Sequence, residues 1–267
     1  KTHVQLRQVN TDYITGSTQI DEALRKSTLG AIISNQKIQA YNNDSTAIVF
    51  DMTGVFLSDN KKMSPFDRNS IYGMYNRTEN YQSDCSYISQ IKAFKDNVSI
   101  KSCLSYTFSV SNSQGASLIK DRPFTAEMTR SIMLLKEKPY RPRMADYRIG
   151  VFFTGREQLG EGAKTTAPVY YANRWDIQPS DTAAYLRGEK VKPTKQIVFY
   201  IDNTFPEKWK PYLREGVTQW NELFEQIGFK DVVAAKDFPT DDPEFDPDNI
   251  KYSCVRYAPS SIENAMG

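Results

Sequence analysis

Residues 197–235 constrain the fold more than any other stretch of the chain. Ile197, Val198, Phe199, Tyr200 and Ile201 form an unbroken apolar run that stops at Asp202. A strand without a polar face must be covered on both sides, which is the environment of a parallel sheet. Trp209, Leu213, Val217, Trp220, Phe224 and Ile227 then recur at helical spacing, a single apolar stripe. Thr204 is placed to cap that helix, with Pro206 in its first turn. Gly228 is placed to end it in a left-handed residue. Val232 to Ala235 reads as a second strand. The three pieces make a β-α-β unit with parallel strands and a right-handed crossover. An acidic loop with Asp241, Asp242, Glu244, Asp246 and Asp248 follows, and Tyr252 to Tyr257 reads as a third strand.

The chain upstream has a different texture. Val98, Ile100, Leu104, Tyr106, Phe108 and Val110 fall on even positions, the period of a half-buried strand. Ser111 to Gly115 breaks it. Ala47 to Phe50 and Val55 to Leu57 read as short strands, and Ser58 to Lys62 as a turn. One helix is expected over Ile20–Leu29, opening after Ser17-Thr18 and closing at Gly30. Pro139 and Pro142 favour an extended connector near 138–146. Tyr147 to Phe153 and Val169 to Trp175 read as two more strands, separated by a loop from Gly155 to Gly162. The expectation is an α+β chain: a β-rich domain over 1–190, then the β-α-β section over 191–267.

Composition removes several classes of function. With 34 basic and 32 acidic side chains the net charge is +2, and the basic stretch from Lys136 to Arg148 is broken by acids and prolines. A nucleic-acid partner is therefore not expected. No run reaches the roughly 20 apolar residues of a membrane-spanning helix. There is no GxSxG elbow, no GxxxxGK[ST] loop and no GxGxxG fingerprint. A Ser-His-Asp triad would have to use His3, the one histidine of the chain. Cys85 and Cys103 leave two readings open, a disulfide or two free thiols.

Several stretches together resemble a known family. They are Ile197 to Asp202, Trp209, Trp220, Gly228-Phe229, Tyr252 to Arg256, and Ser261 to Gly267. Upstream, Pro142 to Gly150, Asp84 to Ile88 and Asn97 to Ile100 add to the likeness. The chain resembles bacterial, Bacteroidetes-type zinc-dependent metalloproteases. These are exported, metzincin-like peptidases with an uncharacterised domain before the catalytic one. The resemblance implies that 191–267 is the opening of such a catalytic domain. It implies peptide-bond hydrolysis by a metal-activated water, a polypeptide substrate, and a periplasmic, cell-surface or secreted location. Zinc would be held by an HExxHxxGxxH-type helix, in which histidines four apart share one face. One histidine cannot build that grip. The expectation is therefore a fragment of the parent enzyme, inactive alone, with no catalytic and no metal residue of its own and zinc only in the parent. The rival reading is a non-catalytic module that binds a polypeptide or glycan, with Tyr170, Tyr171 and Trp175 as its candidate rings.

Four features carry site readings. Asp146 is a candidate prosegment latch on the parent's zinc, against the reading that it pairs with Arg143 or Arg148 to fix the connector. The loop from Asp241 to Asp248 offers clustered carboxylates for calcium, although it lacks the EF-hand pattern and reads more simply as a solvated turn. Asn264, Ala265 and Met266 are candidates for an edge strand that pairs with an extended substrate. His3 is assigned no role. Finally, a β-α-β unit cut from its domain leaves an apolar face open, so a homodimer through that face is expected as one way of covering it.

Overall fold

Alternation over residues 97–112 produces a strand of 16 residues that lies between two longer ones, of 19 and 17 residues. A computed structural model describes residues 2–9, 11–60, 63–66, 75–136, 140–160 and 166–259. In chain order the elements are β1 (His3–Arg7), β2 (Tyr13–Thr15), α1 (Thr18–Ser27), β3 (Ile32–Tyr41), β4 (Ile48–Phe50), α2 (Thr53–Phe56), β5 (Tyr75–Ala93), β6 (Asn97–Asn112), β7 (Ser117–Met133), β8 (Phe153–Leu159) and β9 (Ala167–Ala172). They continue with α3 (Thr182–Leu186), β10 (Ile197–Ile201), α4 (Lys210–Thr218), α5 (Trp220–Gln226), β11 (Val233–Asp237) and β12 (Ser253–Val255). The chain is a β-rich α+β protein of several small sheets.

Two units divide it. The first holds Lys1–Ile91, Ile100–Arg130 and Lys136–Arg174; the second holds Lys92–Ser99, Ser131–Leu135 and Trp175–Gly267. The second unit thus takes in the turn between β5 and β6 and the end of β7.

In the first unit β6 is the middle strand of the order β5-β6-β7. Ile100, Leu104 and Tyr106 are buried, as the even spacing predicts, and Lys101, Cys103, Ser105 and Thr107 are more open; the alternation breaks at the start of the strand, where Ser99 is buried and Val98 is not. Two further sheets have the orders β1-β3-β4 and β2-β8-β9. Strand β2 runs parallel to β8, which runs antiparallel to β9. Helix α1 forms two residues earlier than the spacing predicts, with Ser17 as its N-cap.

The cysteine question is settled by the thiols themselves: Cys85, Cys103 and Cys254 are free, and Cys103 contacts the Tyr87 hydroxyl.

In the second unit β10 is central, with β11 on one side and β12 on the other, and both run parallel to it. Ala184, Val191, Ile197, Phe229, Val232 and Val233 form the core, with Val217 and Phe224 packed against it. Asn221 ties helix to strand: its Nδ2 donates to the Val233 carbonyl at 2.9 Å and its Oδ1 accepts from the Val233 amide at 2.8 Å. Gly228 has φ +86°, as a helix-terminating glycine should, and the Tyr185 ring would stand 2.9 Å from any Cβ added there.

Several expectations need correction. The stripe from Trp209 to Ile227 is divided between α4 and α5 at Gln219, whose φ of −54° and ψ of −29° stay helical while the Glu222 amide bonds to the Gln219 carbonyl three residues back, at 3.1 Å. Just before it, Thr218 Oγ1 donates to the Arg214 carbonyl at 2.9 Å. Thr204 does not cap α4. Its amide and hydroxyl both donate to Asp202 Oδ1, at 2.9 and 2.8 Å, which closes a turn instead. Helix α4 begins at Lys210 with Pro211 in its first turn. Val55 and Phe56 belong to the short helix α2. Tyr147 to Val151 is no strand: the Ile149 amide donates to the Asp146 carbonyl at 3.0 Å, and Tyr147 is 98% exposed. The strand begins at Phe153 and runs through Gly155–Leu159, where a loop was expected.

Candidate functional site

In open α/β sheets, groups that act on ligands gather at the carboxyl ends of parallel strands. In the second unit that end carries Asp202 after β10 and Arg256 after β12, with Cys254 within β12. Asp202 is buried, and its amide donates to the Val255 carbonyl at 3.0 Å. Burial opposes its ionisation. The Thr204 amide and hydroxyl, the Tyr257 amide and the Arg256 charge outweigh that and hold it below the usual carboxylate range. Burial pushes the Cys254 thiol up, which leaves it protonated and a poor nucleophile at neutral pH.

The acidic loop reaches the same region. Lys92 Nζ lies 2.9 Å from Asp246 Oδ2 and 2.7 Å from Asp248 Oδ2. Arg256 Nη1 stands 3.8 Å from Asp248 Oδ1. Asn97, buried, donates to the Asp248 carbonyl at 3.0 Å and accepts from the Ile250 amide at 3.2 Å. Beneath the loop Phe245 packs on Tyr200, Tyr252 and Phe238 at centroid distances of 5.1, 4.8 and 4.9 Å. Burial disfavours the Lys92 charge, but Asp248 and Asp246 reverse that and raise its pKa. Burial likewise opposes ionisation of Asp246, and Lys92 and the Asp248 amide reverse that and lower its pKa. Two of the five carboxylates considered for calcium, Asp246 and Asp248, thus face a lysine, and Asp248 an arginine as well. The arrangement is an electrostatic lock on a loop.

A second polar cluster lies in the first unit. Tyr106 is 1% exposed and packs edge-on to Phe66 at 5.0 Å and against Tyr81 at 5.5 Å. Burial raises its pKa, with Asp59 adding to the effect. Arg130 Nη2 donates to the Phe56 carbonyl at 2.7 Å, and its guanidinium lies 5.5 Å from the Phe56 ring centre. Among the described residues its buried Nε and Nη1 have no hydrogen-bond partner, and burial lowers its pKa. The Ser102 hydroxyl is buried likewise.

The other sequence candidates are placed as follows. Asp146 pairs with Arg148 at 2.5 Å on an exposed turn, and that contact, then the Arg148 amide, lowers its pKa. Asn264, Ala265 and Met266 lie outside the described residues. His3 Nδ1 meets Thr2 Oγ1 at 3.0 Å on an exposed strand. Tyr170 and Tyr171 are adjacent in β9 and point to opposite faces. Trp175 belongs to the second unit and packs edge-on to Phe199 at 6.1 Å. The three rings do not share one face. Among the described residues no three His, Cys, Asp or Glu side chains are grouped to hold a metal, so the residues present do not fit a zinc centre.

Lys92, Asn97, Asp202, Arg256 and Arg130 were not singled out in the sequence. Asp202 had a signal, as the first polar residue after a buried strand. Arg130 shares the inward phase of Ala126 and Met128 in β7. Nothing local marks Lys92, whose partners are more than 150 positions away.

The model of one protein family, described as a domain of unknown function (DUF5117), matches residues 1–180, about two-thirds of the chain. The chain belongs to the DUF5117 family. The matched residues span the first unit's sheets, and the DUF5117 match ends at α3's approach, ahead of the parallel sheet. No curated protein and no solved structure matches the chain.

Proposed function

We propose that the chain is part of a zinc-dependent endopeptidase. In this reading the DUF5117 region precedes a metzincin-like catalytic domain that opens with β10, α4, α5, β11 and β12. The observation that carries it is the central strand Ile197–Ile201 with a parallel neighbour on each side, in the residues that resemble the peptidase family. Zinc, when bound, activates a water for attack on a peptide carbonyl. The single histidine of this sequence cannot supply a paired-histidine grip, and no step of hydrolysis is assigned to the described residues. Their part is structural: Asp202 fixes the chain as it leaves β10, and Lys92 with Asn97 holds the 241–250 loop. The metal-binding helix belongs to sequence outside these 267 residues, the substrate is a polypeptide, and the enzyme works outside the cytoplasm. Asp146 in this reading is a latch on the zinc before processing.

The test compares this chain with a longer protein that includes the flanking encoded residues. The longer protein is expected to retain zinc through dialysis and to cleave peptides in a chelator-sensitive manner; the 267-residue chain is expected to do neither. Chelator-sensitive turnover by the shorter chain, or a longer protein that holds no zinc, overturns the proposal. For the latch, Asp146→Ala in the unprocessed longer protein should raise activity, and unchanged latency removes it.

A further inference from the structure

The family match ends at residue 180, yet the second unit reaches back inside it for Lys92–Ser99 and Ser131–Leu135. The first of these segments is the tip of the β5–β6 hairpin. Its own bonds hold it in shape. The Phe94 amide donates to the Asn97 carbonyl at 2.8 Å, and the Leu134 amide, at the end of β7, donates to the Asp96 carbonyl at 2.9 Å. A tip fixed in this way loses little freedom when it meets a partner.

What it meets is the 241–250 loop, which belongs to the polypeptide after the family match. That loop is also closed on itself, since the Asp248 amide donates to Asp246 Oδ1 at 2.8 Å. It presents two carboxylates and one backbone pair, the Asp248 carbonyl and the Ile250 amide. The tip satisfies all of them. Lys92 takes both carboxylates, and the buried Asn97 side chain takes the carbonyl and the amide, as the backbone of a paired strand would. The surrounding charges agree in sign. Lys95 and Asp96 on the tip are exposed and of opposite charge, so Lys92 leaves the tip net positive. Asp241, Asp242 and Glu244 keep the loop net negative, even with Lys251 and Arg256 beside it.

We propose that the hairpin tip of the DUF5117 region is a docking element for the acidic loop of the polypeptide that follows, and that the two stay bound when the chain between them is cut. The end of the family match is then no boundary of folding, and a cut in the intervening chain does not release the family region. The proposal stands apart from the peptidase reading, since the contact lies wholly within the second unit. A site-specific protease sequence inserted between Arg174 and Trp175, at the sequence boundary of the two units, lets the full chain be cut after it has folded. The pieces 1–174 and 175–267 are expected to elute together from a sizing column at micromolar concentration. Lys92→Met should weaken their association about tenfold. Asn97→Ala, which strips two bonds from the loop backbone, should weaken it further. Lys95→Met removes the same charge from an exposed position of the tip and should weaken it less than Lys92→Met does. Each variant is first compared uncut with the parent by circular dichroism, and if Asn97→Ala does not fold, Lys92→Met carries the test. Pieces of the parent that separate on cutting overturn the proposal. So do variant pieces that stay together as firmly as the parent's, or a Lys95→Met effect as large as that of Lys92→Met.

Discussion

Two half-buried cations, one in each unit, are treated in opposite ways. Lys92 in the second unit is met by two carboxylates, and its neighbour Asn97 bonds the same loop. Arg130 in the first unit is met by a carbonyl and an aromatic ring, with two of its nitrogens unpaired among the described residues. A buried charge that is fully paired loses much when one partner is removed. One that is poorly paired is a weak contributor and is replaceable by apolar volume. The second unit's polar contacts therefore define a loop conformation. The first unit's buried polar groups are a cost carried by its sheet.

The comparison is sharpened first by the apolar cores. Ile201 is fully buried in the central parallel strand, and Ile201→Ala should cost about 2–5 kcal/mol in urea unfolding of the second unit. An equal loss in a spectroscopic signal confined to the first unit would break the two-unit description. Next in size is Gly228→Ala, expected to cost about 1–3 kcal/mol, because φ is +86° and the Tyr185 ring has no room for a methyl group. Thermal melting checks it; a loss at the low end of that range would mean that Tyr185 swings aside and only the backbone strain remains, and a neutral result would contradict both causes.

Lys92→Met tests the lock itself. It leaves Asp246 and Asp248 facing each other and should cost about 1–2 kcal/mol, with faster proteolysis within 241–250. The lock also has a pH window. Asp246 is depressed, so its contribution is present above the ordinary carboxylate pKa of about 4 and is lost as pH falls through the folded value. Lys92 is raised, so its contribution is present below about 10.4 and is lost as pH rises through its folded value. Hydrogen exchange of the loop should therefore be flat between about pH 5 and 10 once corrected for intrinsic rates, and Lys92→Met should erase protection inside that window.

Arg130→Met is the contrasting variant. Its change in stability should lie within about 1 kcal/mol of zero, since the lost bond to Phe56 is offset by removal of an unpaired charge. A large loss would show that Arg130 is paired as well as Lys92 is, and the contrast would fail. Smallest of all, Asp146→Ala should leave the melting temperature unchanged, because the Asp146–Arg148 pair sits on an exposed turn.

Much of the second unit was legible from residue order. The apolar run of β10, its parallel neighbour β11 and the terminating Gly228 follow from local pattern. The even spacing of Ile100, Leu104 and Tyr106 likewise marked one face of β6. Reading failed where a side chain chose among near partners. Thr204 had the chemistry of a cap, yet Asp202 lay two residues away and captured it. Tyr147, Ile149 and Val151 alternate like a strand, yet the Asp146 turn takes them out of any sheet. The stripe from Trp209 to Ile227 had the right period, but half of it faces away from the core.

Sequence by itself determined where apolar faces exist, because period and burial are written in neighbouring residues. It also determined that two histidines cannot be brought to one metal within these 267 residues. Only the tertiary structure decided which polar groups meet. Lys92 finds Asp246 and Asp248, Cys103 contacts the Tyr87 hydroxyl, and Arg130 is left with a carbonyl. Hydrogen bonds and ion pairs act over a few ångströms, and distant stretches come that close only after the strands have fixed their register.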